Sequence, residues 1–87
     1  MKLMIVIVRD LDSENVIQAL VANTFRVTRV ASTGGFLRQG NVTLLIGVEE
    51  EKIDAVTDLL RQTCVPTDGD QHRATIFVVD MPHFEQI

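Results

Sequence analysis

The sequence predicts an α+β domain of order βαββαβ, and three observations carry that reading. Short apolar runs rich in β-branched residues stand near its two ends, at residues 3–8 and 74–79. Two stretches with apolar residues at helical spacing follow the first and third of four strand-like segments. A Thr33-Gly34-Gly35 break separates the second strand from the third, where no helical spacing intervenes.

Residues 3–8 (Leu-Met-Ile-Val-Ile-Val) form a continuous apolar run, expected of a strand buried on both faces. Arg9-Asp10-Leu11-Asp12 reads as a turn, with Asp12 or Ser13 available to cap the first helix. That helix is expected to reach about Asn23, with Val16, Ile17, Leu20 and Val21 facing inward. Residues 25–32 alternate, with Phe25, Val27 and Ala31 on one side and Arg26, Thr28 and Ser32 on the other. Residues 41–48 form the third strand. Glu49-Glu50-Glu51 then opens a helix whose positive end suits carboxylates. Ile53, Val56, Leu59, Leu60 and Cys64 give that helix its apolar stripe. A loop with Pro66 and Gly69 leads to the last strand, and Pro82 prevents that strand from simply continuing.

This order is the ferredoxin-like arrangement, in which two helices cover one face of a four-stranded antiparallel sheet. Eighty-seven residues are read as a single domain, 1–87. The first and last strands are apolar on both sides, so the uncovered face is expected to be buried by a symmetric oligomer.

Composition narrows the function classes. A net charge of −4 argues against duplex nucleic acid, which normally demands a basic face. The opening apolar run is too short for a membrane span or a signal peptide, so the expected location is the cytoplasm. One cysteine, Cys64, excludes an internal disulfide and reads as a small core residue. His72 and His83 lack the close same-face spacing of a metal site and read as surface residues, so no metal is expected.

The segment richest in chemistry is residues 33–41, Thr-Gly-Gly-Phe-Leu-Arg-Gln-Gly-Asn. Adjacent glycines let a ligand approach the backbone amides, which can form an anion-binding nest. Phe36 offers a flat face for a base, and Arg38 offers a cation. Arg26 and Thr28 project from the polar side of the preceding strand, and Asn41 starts the next. The same residues also suit a plain hairpin loop with Phe36 folded onto the core and Arg38 in water. From the residues alone both readings stand. The loop lacks the Gly-Lys-Ser/Thr ending of a P-loop, and it leads into a strand, so it is no dinucleotide fingerprint.

Taken as a string, the sequence resembles the PII-like cyclic di-AMP receptor family. The resemblance is densest over Asn23-Thr24-Phe25-Arg26-Val27-Thr28 and runs from Ala31-Ser32-Thr33-Gly34-Gly35-Phe36-Leu37-Arg38 to Gly40-Asn41-Val42-Thr43 and Gly47-Val48. It resumes at Gln62-Thr63-Cys64 and at residues 74–79, and closes with Phe84 and Gln86. It implies a non-enzymatic signalling homotrimer that binds cyclic di-AMP between subunits and relays occupancy to a protein target. Carried over residue by residue, it places Arg26, Thr28, Gly35, Phe36, Leu37, Asn41, Gly47 and Gln86 around the ligand. In that scheme Phe36 stacks an adenine, Gly35 and Leu37 offer backbone contacts, and Arg26 faces a phosphate. Thr28 and Asn41 read polar edges, Gly47 leaves room for the ligand, and Gln86 closes the cleft.

Two positions depart from the family pattern. Thr24 stands where the family usually has Asn, and residues 65–72 make a much shorter loop than the family carries. The short loop keeps two alternatives open: a PII-like trimer binding another adenine nucleotide (ATP or ADP), or an interaction module that has lost the ligand. A small acylphosphatase-like hydrolase on the same fold would use Arg38 and Asn41, but no acid, base or nucleophile is placed beside them.

Overall fold

The computed structural model describes residues 1–30, 40–67, 69 and 72–87. Its elements run β1 (Lys2–Arg9), α1 (Asp10–Ala22), β2 (Val27–Val30), β3 (Asn41–Val48), α2 (Ile53–Thr63) and β4 (Ala74–Asp80). A 3₁₀ turn, Glu50–Lys52, leads into α2. Among the described residues the strands form one four-stranded sheet in the order β2-β3-β1-β4, antiparallel throughout. That is the ferredoxin-like topology the sequence predicts.

Register decides which side chains meet the helices. Met4, Val6 and Val8 of β1 and Val42, Leu44, Ile46 and Val48 of β3 lie beneath the helices and are buried. Val16 and Leu20 of α1 and Val56, Leu60 and Cys64 from α2 and its end complete the core. Val21 instead points outward, 59% exposed, because the buried stripe of α1 is narrow and follows Val16 and Leu20. Burial pushes the Cys64 thiol pKa up, with the nearby Asp12 carboxylate adding to the effect.

The entry to α1 differs from the sequence reading. The helix begins at Asp10, directly after β1, and neither Asp12 nor Ser13 caps it. Ser13 Oγ donates to the Asp10 carbonyl at 2.9 Å. Asp12 is fully buried and accepts from Arg9 Nε at 2.8 Å and from the Val65 amide at 3.0 Å. Arg9 Nη2 also donates to the Val65 carbonyl, so both backbone polar groups of Val65 are held. What reads as a solvated turn is a buried tie between the β1–α1 junction and the end of α2.

The exit of α1 carries backbone strain. The Phe25 amide bonds the Leu20 carbonyl at 2.9 Å and the Thr24 amide bonds the Val21 carbonyl at 3.0 Å, the pattern of a Schellman C-cap. That cap puts Thr24 in the left-handed region, with φ 67°. A β-branched side chain is poorly suited to that region, which Gly and Asn tolerate. Thr24→Gly is therefore expected to raise the free energy of unfolding by about 1 kcal/mol, read from urea denaturation. An unchanged midpoint would mean the strain is relieved elsewhere.

The opposite sheet face carries Leu3, Ile5 and Ile7 of β1, Leu45 of β3, and Phe77 and Val79 of β4. Neither helix covers it. Phe77 is 52% exposed and Val79 43%. Lys2 and Asp80 pair side by side at one end of this sheet, which raises the lysine pKa and lowers that of the carboxylate.

Candidate functional site

Residues 81–87, beyond β4, form neither helix nor strand, and the Met81 amide bonds the Met1 carbonyl at 3.1 Å. Because β4 lies at one edge of the sheet and β2 at the other, a contact between this segment and Arg26 spans the sheet. Such a contact is present: Arg26 Nη1 donates to Gln86 Oε1 at 3.1 Å. Between the segment and the uncovered face lies a cleft of about 410 Å³.

Its lining comes from five places in the chain: Met1 and Leu3, Arg26 and Thr28, Leu45 and Gly47, Met81, and Phe84 with Gln86. Strand alternation explains the selection. Thr28 pairs with Leu45, and Leu3 pairs with Gly47, so these four point to the same face. Arg26, two residues before Thr28, takes the same side. The result is an apolar floor with one guanidinium, one hydroxyl and one amide around it. The described lining side chains include no carboxylate, histidine or cysteine.

Above Gly47 the cleft floor is occupied. A Cβ on this glycine would lie 3.2 Å from Cε of Met81. The recess left by the missing side chain is thus taken by the thioether of Met81.

The structure therefore gathers Arg26, Thr28, Gly47 and Gln86 into one cleft. Asn41 is not among its lining residues. It begins β3 at the end opposite Gly47, paired with Arg9, and six residue steps of strand separate the two by about 20 Å. Gly40, just before it, accepts a bond from the Asp10 amide. Gly35, Phe36 and Leu37 lie outside the described residues.

The cleft also includes residues that the sequence reading did not assign to a site. Leu3 and Leu45 were legible in principle, since alternation puts them opposite Gly47 and Thr28. Met81 and Phe84 were not, because no periodicity fixes the path of the chain beyond the last strand. Among the described residues no group of three or more His, Cys, Asp and Glu side chains is placed to hold a metal ion. The His83 ring instead meets Glu85 at 2.9 Å. No described helix is long and apolar enough to cross a membrane.

An antiparallel βαββαβ sheet with one uncovered apolar face, and a cleft on that face, is the build of PII-like ligand-binding proteins. The match to known families makes this specific. The model of the cyclic-di-AMP receptor family fits residues 1–71, and the chain belongs to that family. The family is one of receptors for a signalling ligand. Among solved structures, a functionally unknown protein from Pediococcus pentosaceus is similar over 99% of this chain and 96% of its own, at 29% identity and a TM-score of 0.80.

Proposed function

We propose that this chain is a non-enzymatic signalling protein that binds cyclic di-AMP at the subunit interfaces of a homotrimer and relays occupancy to a protein target. The observation that carries the reading is the cleft itself. Arg26 with Thr28, Gly47 and Gln86, from three separate parts of the chain, converge on one apolar-floored space whose described lining holds a single guanidinium. A guanidinium recognises phosphate through paired N–H donors, and the apolar floor suits a purine. With neither a carboxylate nor an imidazole, the described lining offers no general acid or base, which favours binding over catalysis.

The split of the expected ligand residues favours an interface. Arg26, Thr28, Gly47 and Gln86 sit at one end of the sheet, and Asn41 at the other. A single adenine does not touch both ends. A neighbouring copy can bring its Asn41 to this cleft, and the exposed Phe77 and Val79 give the copies apolar surface to bury.

The test is a thermal-shift panel of cyclic di-AMP, ATP and ADP at fixed protein concentration. Cyclic di-AMP at a hundred times its dissociation constant is expected to add about 2.7 kcal/mol to stability. A shift with ATP or ADP alone would assign the cleft to a mononucleotide. No shift with any of them would leave an interaction module that has lost the ligand. Analytical ultracentrifugation of the same sample tests the trimer.

A further inference from the structure

Two side-chain contacts of residues 81–86 with the sheet use residues assigned above to the ligand. Met81 fills the recess over Gly47, its Cε standing 3.2 Å from where a Cβ would be. Gln86 occupies Arg26 through a 3.1 Å hydrogen bond. A ligand entering the cleft meets the protein's own side chains first. Resting on the cyclic di-AMP reading of the cleft, we propose that segment 81–86 is a built-in competitor for that site, with Met81 as a displaceable plug whose position reports occupancy.

The physical chemistry makes the exchange favourable at both contacts. Arg26 gives Gln86 a hydrogen bond to a neutral amide oxygen, whereas a phosphate oxygen accepts a charge-assisted one, roughly twice as strong. Methionine is unbranched, with three rotatable side-chain bonds, so it leaves a recess without moving backbone. A purine entering above Gly47 replaces one apolar contact by a larger one. The Met81 amide stays bonded to the Met1 carbonyl at 3.1 Å, which leaves a pivot at the start of the segment. Phe84, 54% exposed on the cleft wall, moves with the rest. Once Gln86 has left Arg26 it is free to close over the far side of the ligand.

The plug has a measurable consequence. The cover weakens the apparent dissociation constant by the reciprocal of the open fraction, about fivefold for an open fraction of about 0.2. Met81→Ala removes the cover, so calorimetric titration with cyclic di-AMP is expected to show about fivefold tighter binding than wild type. In wild-type protein labelled with ¹³C at the methionine methyls, the signal absent from Met81→Ala is expected to shift when cyclic di-AMP saturates. Equal or weaker binding by Met81→Ala, or a Met81 methyl signal unmoved at saturation, overturns the plug while leaving the ligand reading intact. Binding by Met81→Ala alone supports the plug in its strongest form. Binding by neither protein overturns both the ligand reading and this inference.

Discussion

Asp12→Ala is expected to lower the free energy of unfolding by about 3 kcal/mol, the largest loss expected from any single polar substitution among the described residues. The carboxylate is fully buried, so its charge is tolerable only because its partners meet it. Arg9 donates to Oδ2 from Nε at 2.8 Å and also from Nη2, a two-pronged contact. The Val65 amide donates to Oδ1 at 3.0 Å. Deleting the carboxylate leaves the Val65 N–H without that partner and leaves the guanidinium with its bond to the Val65 carbonyl. Breaking one side of a buried pair costs about 3–5 kcal/mol, and the Arg9 side chain, 22% exposed, retains some access to water. That argues for the lower end of the range. With a urea m-value of about 1–3 kcal/mol/M, the midpoint falls by about 1–3 M. Asp10→Ala is the control: its side chain is 66% exposed and stands 3.9 Å from Arg29, so its loss should stay within about 0.5 kcal/mol. If the two variants unfold at the same midpoint, the buried tie contributes nothing to stability. Both are compared at one protein concentration, since association shifts apparent stability.

The Asp12 tie marks where local reading of the sequence stops. Element order was legible because each piece has its own period: β-branched runs for β1 and β4, the 53-56-59-60 stripe for α2, a glycine pair between β2 and β3. The span of β3 came out residue for residue, since Asn41 follows Gly40 and Glu49-Glu50 ends the apolar run. By contrast, Arg9-Asp10-Leu11-Asp12 has the composition of a surface turn. Only the approach of Val65, fifty-three residues later, turns Asp12 into a core residue. Thr24 is a similar case, because its left-handed φ follows from the way α1 must end for Phe25 to reach the core. In the cleft, Arg26, Thr28 and Gly47 could be placed on one face by alternation. Their meeting with Gln86 depends on the path beyond Pro82, which has no periodicity to read. The family resemblance supplied Gln86 where the residues by themselves could not.

Arg26→Ala is expected to weaken cyclic di-AMP binding by about a hundredfold while leaving the fold intact. Hydrogen bonds to charged groups contribute about 1.5–3 kcal/mol, and each 1.4 kcal/mol is a tenfold change in affinity. Arg26 is the one guanidinium in the described lining of the cleft, so no neighbour in that lining substitutes for it. The residue is exposed, and its recorded partner is the Gln86 side chain at 3.1 Å, so its removal costs the free protein little. Affinity and stability therefore separate cleanly in this variant, unlike in Asp12→Ala. Arg26→Lys divides the effect further. It keeps the charge and loses the planar fork, so a phosphate bound by two parallel N–H donors loses more than one bound by charge alone. A lysine variant near wild-type affinity would mean that charge suffices. One near the alanine variant would mean that the fork is required. Wild-type affinity in Arg26→Ala would remove the phosphate from this end of the cleft. The ligand's anionic groups would then have to meet cations elsewhere, and the contact between Arg26 and Gln86 would be a structural tie alone.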